Sequence, residues 1–172
     1  MAERKDDPMN RRFLAVLIAA SLLVPASAFA YSHGSASESF GPQLGFSSDP
    51  SQVVFGGHMD FADIAPSLDF VPSIDVGVGD NVTVFSFNGD FHYRFDINSH
   101  WQPYAGGGVA LHAFSWDTGF GHTSDTVGGG NLIVGADVPT QRGSRFYVEG
   151  RFGLGDGPSF KALAGWNFGM HR

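Results

Sequence analysis

Cysteine is absent from the 172-residue chain, which excludes a disulfide framework and any thiolate metal site. Lysine is nearly as scarce: beyond residue 30 only Lys161 remains. In that part of the chain 6 basic residues stand against 14 acidic ones, a formal charge of −8. No basic stripe is available to neutralise phosphates, so nucleic acid is excluded as a partner. Soluble surfaces carry about 25–35% charged residues, with lysine prominent. The 20 charges here are too few to coat the outside of a soluble barrel and enough to fill the inside of a small one. Long apolar runs are missing too. The stretch Phe13 to Val24 has twelve residues, where a spanning helix needs about 20. From Tyr31 onward no amphipathic helical period occurs.

That apolar stretch follows Arg11 and Arg12 and precedes Pro25 and the small-residue pattern Ala28-Phe29-Ala30. Basic region, hydrophobic region and A-x-A site make the layout of a secretory signal. Residues 1–30 are read as a signal peptide cleaved after Ala30, with Met9 as an alternative start. Residues 31–172 are read as one domain.

What the chain has in quantity is alternation. Val82 to Ile97 reads VTVFSFNGDFHYRFDI, with Phe85, Phe87, Phe91, Tyr93, Phe95 and Ile97 on one face. Ser86, Asn88, Asp90, His92, Arg94 and Asp96 fall on the other. Globular strands usually end after about 5–6 residues. A strand that crosses lipid needs roughly 9–11, with one face to hydrocarbon and one to a polar lumen. Seven further segments share the period of two. They are Phe40 to Phe46 (weak), Gln52 to Ala62, Leu68 to Val78, Gln102 to Trp116, Gly128 to Val138, Arg145 to Leu154 and Phe160 to Met170. Pro72 is expected to interrupt the ladder of the third strand, with a bulge or a local register defect there. The glycines at 106–108 leave the phase of the fifth open.

The expected fold is all-β, an eight-stranded antiparallel up-and-down transmembrane β-barrel. With a periplasmic N-terminus, Asp117 to Thr126 becomes the longest connection and lies outside. Aromatic side chains then gather at two levels, as interfacial belts do. Trp101, Tyr104, Tyr93, Trp166 and Phe168 form the inner level, and Phe114, Trp116, Phe160 and Phe55 the outer.

Three motifs carry a resemblance to a known family: PYAGGGVAL at Pro103 to Leu111, RFYVEGRFGLG at Arg145 to Gly155, and ALAGWNF at Ala162 to Phe168. With them the chain resembles the small outer-membrane β-barrel proteins that include OmpA barrels, OmpX and opacity-type adhesins. The resemblance spans nearly all of Phe40 to Met170. It implies outer-membrane lipid and the barrel-assembly machinery as partners. It also implies an assembly signal at Gly165, Phe168 and Met170, although the chain ends His171-Arg172 where the family often ends on an aromatic. The fold hosts many unrelated activities.

Candidate chemistry divides in two. Asp60, Asp75, Asp90, His92, Arg94, Asp137, Glu149, Arg151 and Lys161, with Asp69 and Asp96, are expected to face the lumen. Small barrels fill that space with side chains, so a plug of ion pairs is the first reading and a narrow cation-preferring pore the alternative. Glu149 and Arg151 are expected to pair across the ladder with neighbours such as Asp137 or Lys161. His58/Asp60 and Asp90/His92 could each ligate a metal, but no third ligand is spaced to complete a site.

The outer connection holds Phe120, His122 and Asp125 as interaction residues. His122, Ser124 and Asp125 with Asp117 form an alternative acyl-transfer set acting on lipid A. It lacks oxyanion donors. The expectation is a non-enzymatic, monomeric envelope or surface-interaction protein without cofactor or metal, engaging a surface ligand through Asp117 to Thr126.

Overall fold

A computed structural model describes residues 38–79, 82–97, 99–117, 122–140 and 144–169. The signal segment, the cleavage site, Phe120 and Met170 lie outside them. Eight strands follow in order: β1 (Glu38–Ser48), β2 (Gln52–Ala65), β3 (Leu68–Gly79), β4 (Val82–Arg94), β5 (Gln102–Asp117), β6 (His122–Pro139), β7 (Ser144–Gly155) and β8 (Phe160–Gly169). Each pairs antiparallel with the next, and β1 pairs with β8 to close the barrel. Closure removes the unpaired edges that an open sheet would expose. An even number of strands leaves the start of β1 and the end of β8 at one mouth, the terminal end, opposite a distal end.

Alternation decides which side chains meet. On β4, Phe85, Phe87, Phe91 and Tyr93 are exposed outside, while Ser86, Asn88, Asp90 and His92 are buried inside. The other strands repeat this: Phe40, Leu44, Phe46, Phe55, Ile74, Leu132, Val134, Phe152 and Trp166 form an exposed apolar belt. The interior is mostly polar, the inverse of a soluble barrel, and the belt is what a lipid-facing surface requires.

The structure changes four details of the sequence reading. Pro72 does not shift the register. The β2–β3 ladder is interrupted there, as expected, at Met59 and Asp60 opposite Pro72 and Val71, but keeps the same alignment on both sides. The shift falls between Phe61 and Ala65, where Asp63 takes a left-handed φ of 55° and its N–H donates to an Asp69 carboxylate oxygen at 2.8 Å. An Asp tolerates that conformation better than most residues, so the bulge forms there.

β4 ends at Arg94, which leaves Asp96 exposed beyond the strand and out of the lumen. The connection Phe95 to Trp101, at the terminal end, is seven residues long. Asp117 to Thr126 is not a long loop, because Trp116 pairs with Thr123 and Phe114 with Asp125 in a continuous β5–β6 hairpin.

The aromatic levels also change, since Tyr104, Phe114 and Trp116 point inward. Tyr104 pairs with Arg94 on β4 and Gly135 on β6, and cross-strand partners share a face. Its ring lies directly over Gly135, where a Cβ would collide with it. Small residues opposite large ones let a narrow lumen take two tyrosines, and Gly165 does the same for Tyr147. Tyr93, Trp101, Trp166, Phe168 and Phe55 do lie on the exterior.

Candidate functional site

The lumen is filled in layers. Nearest the terminal end, Arg94 closes β4 and Arg145 opens β7, and between them sit Asp60, Asp69 and Asp137 from β2, β3 and β6. Arg94 donates from Nε to Asp69, from Nη1 to Asp137 and from Nη2 to Asp60 Oδ2 at 2.9 Å. Arg145 Nη2 donates to the same Asp60 oxygen at 2.8 Å. A planar guanidinium with donors in three directions suits this role better than an ammonium would.

The middle layer centres on Glu149 and Arg151, two apart on the inward face of β7. Arg151 Nε donates to Glu149, and Nη1 lies 3.1 Å from Asp90 Oδ2 across the lumen. Arg151 therefore pairs along its own strand and with β4, and the cross-ladder pairings with Asp137 or Lys161 do not form. Tyr104 donates to Glu149 at 2.9 Å, and His92 stacks on the Tyr104 ring with centroids 4.7 Å apart. Tyr147 donates to Gln43 at 2.7 Å, and His58 meets Asn167.

Above them Lys161 Nζ reaches Asp75 Oδ2 at 3.3 Å and Ser86 Oγ at 3.1 Å. Ser86 in turn meets His112 at 2.8 Å. Asn88 ties Ser73 to Asp75, and Asn131 ties β6 to Asp90. An apolar layer completes the stack at the distal end: Val82, Val84 and Phe114, with Trp116 and Val127 against them.

Ten of the eleven ionisable residues expected to face the lumen are in it, and Asp96 is not. Gln43, Tyr104, His112, Arg145 and Tyr147 join them without having been singled out. Alternation did place Arg145 and Tyr147 on the face of Glu149 and Arg151, so that signal was present. Gln43 lies on the weakly patterned β1, and nothing local marks it. A space of about 20 Å³ lies at the centre, lined among others by His58, Asp60, His92, Tyr147 and Glu149. A single water needs about 10–15 Å³. Arg151 and Glu149 are each nearly fully buried, with side chains 2% and 1% exposed. Buried ion pairs of this kind are worth little against an apolar replacement, yet losing one partner is costly because the other charge is stranded.

The structures of known proteins can be set beside this geometry. No family model and no curated protein matches the sequence. Among solved structures, Neisserial surface protein A superposes with a TM-score of 0.60 at 15% identity, over 78% of this chain and 96% of that one. The N-terminal β-barrel domain of Pseudomonas aeruginosa OprF gives 0.58 at 18% identity, over 77% and 94%. The fold is that of the small outer-membrane β-barrels. Ail, the attachment invasion locus protein of Yersinia pestis, follows at 0.50 and 10% identity, over 78% and 94%.

For a barrel of this fold, the remaining candidates are placed as follows. Ser124 and Asp125 are consecutive on β6 and turn to opposite faces, and Asp125 accepts from the Thr126 N–H at 2.8 Å. The structure does not bring those two together as an acyl-transfer set. His58 and Asp60 are engaged by Asn167 and by Arg94 with Arg145, and Asp90 by Arg151. Among the described residues no group of three or more ligands is arranged for a metal. Gly165 lies under Tyr147 in the lumen, and Phe168 is exposed near the terminal end.

Proposed function

We propose that this chain is an outer-membrane barrel whose lumen is sealed by its own side chains, and that it acts at its exposed distal end in envelope integrity or surface interaction. Supporting this is the layered network of buried ion pairs and hydrogen bonds, packed around a central space of about 20 Å³ beneath an apolar distal layer. An ion entering would have to displace Arg94 from three carboxylates and then part Val82, Val84 and Phe114. A conducting barrel holds a wider, wetter lumen.

In this reading the termini face the periplasm, the signal segment directs export, and the barrel is inserted by the assembly machinery. The apolar belt contacts outer-membrane lipid, and the distal β5–β6 hairpin is the part offered to a surface ligand. Planar-bilayer recording tests the seal. Purified barrel is expected to give no reproducible unitary current, and a stable cation-selective conductance would overturn the reading.

A further inference from the structure

The apolar layer at the distal end is also the floor of a cavity. About 380 Å³ of space lies between it and the distal connections, lined by Val82, Phe114, Trp116, Asp49 and Asp156 among others. Val82 and Phe114 are buried inside the mouth, and the Trp116 ring stacks on Phe114 with centroids 5.4 Å apart.

Two connections form the facing wall. β1 and β8 are neighbours, so the turn at Asp49 and Pro50 stands beside the β7–β8 connection, and Ser159 Oγ donates to Asp49 Oδ2 at 3.3 Å between them. Within that connection the Gly153 N–H donates to the Ser159 carbonyl at 2.9 Å, and Gly155 takes a φ of 108° that lets the chain double back. Gly157 then rests on the ring of His112, where a Cβ would collide with it. His112 points into the lumen, so the connection is drawn over the mouth and Asp156 comes to the rim of the cavity.

The charges of the rim are unmatched. The described residues include four bases, Arg94, Arg145, Arg151 and Lys161, and each is held by carboxylates inside the lumen. Asp49 and Asp156 are exposed, and no basic residue among the described ones is left to pair with them. An aromatic floor beneath two carboxylates suits a cation carried on an apolar stem. The stem loses water against Phe114 and Trp116, the ring face attracts the charge, and the rim supplies the counter-ion. Anions are repelled there, and a neutral molecule leaves both carboxylates as they were. Ligand pockets run from about 300 to 1,000 Å³, which makes this one the size for a small molecule.

We propose that the distal mouth is a binding site for a small organic cation, a primary ammonium on a short alkyl stem, seated on Phe114 and Trp116 with its charge between Asp49 and Asp156. The inference rests on the surface-interaction reading above and names the chemistry of a ligand taken at that end.

The test titrates butylammonium, butanoate and butanol against the whole barrel in lipid nanodiscs, with the indole N–H signals of Trp101, Trp116 and Trp166 followed by NMR. Trp101 and Trp166 lie on the exterior and report partition into lipid. Butylammonium is expected to shift Trp116 saturably, with half-saturation at about 1 mM, while butanoate and butanol leave it in place. Asp49→Asn with Asp156→Asn is expected to weaken that response about tenfold, roughly threefold for each exposed pair. Asparagine tolerates the left-handed φ of 54° at position 49, so the variant stays folded on unheated gels.

An equal response to butanol, a Trp116 shift that merely tracks Trp166, or an unchanged affinity in the double variant would each overturn the proposal. So would a Trp116 signal that ignores butylammonium in a barrel that passes no current in bilayers, a result that leaves the sealed barrel standing.

Discussion

Arg151→Met is expected to destabilise the barrel by about 3–5 kcal/mol, measured as a shift of the urea midpoint of the vesicle-inserted protein. The guanidinium holds Glu149 through Nε and Asp90 through Nη1, and also donates to Ser73 Oγ at 3.2 Å. Methionine fills much of the volume but leaves two carboxylates without their cation in a space that admits almost no water. Desolvation then opposes both charges at once. Adding Glu149→Gln to the Met variant is expected to recover part of the loss, because one stranded charge becomes a neutral amide. Tyr104 can still donate to the amide oxygen. A loss of under about 1 kcal/mol, the range of exposed pairs, would show that the lumen is wet.

Phe87→Arg is expected to cost about 2–4 kcal/mol, against about 0–1 for Phe95→Arg, because the penalty for a charge on the lipid face depends on depth. Phe87 is exposed on the outer face near the middle of β4, whereas Phe95 lies just past its end. Long basic side chains reach the headgroups from the end of a strand and cannot do so from its middle. Paired urea titrations in vesicles, followed by tryptophan fluorescence, measure both. Equal and small costs would mean that the aromatic face does not lie in hydrocarbon.

These expectations rest on the part of the molecule that was most legible in the sequence. Where one face is aromatic and the other ionisable, as from Phe85 to Arg94, a period of two settles strand, facing and length together. Eight such segments with short connections left few topologies besides a closed meander. The network itself was less legible. Arg94 takes its three partners from β2, β3 and β6, and no local pattern reveals which carboxylates meet across a lumen. The lumen set was readable as a set, and its pairings were not.

The misplaced residues have local causes. The glycines at 106–108 have no side chains with which to display a phase, so the sequence pattern alone carries Tyr104 to the membrane surface. Its inward position follows from its pairing with Arg94, a long-range fact. Asp117 to Thr126 has the composition of a loop, yet Asp117 and the residues from His122 to Thr126 continue the ladder. Strand propensity is weak enough for pairing to override it. Asp96 continued the alternation of β4 on paper, but the strand stops two residues earlier.

The absence of cysteine makes the central claim directly measurable, because any introduced thiol is the only one in the chain. Single variants along β4, at Phe85→Cys, Ser86→Cys, Phe87→Cys, Asn88→Cys and Phe91→Cys, can be inserted in vesicles. Each is then exposed to a membrane-impermeant maleimide and, separately, to a lipid-dissolved one. The variants at 85, 87 and 91 are expected to react with the lipid-dissolved reagent alone, and those at 86 and 88 with neither. Labelling of 86 and 88 from water would contradict the sealed lumen, and labelling of 87 from water would contradict the membrane-facing belt.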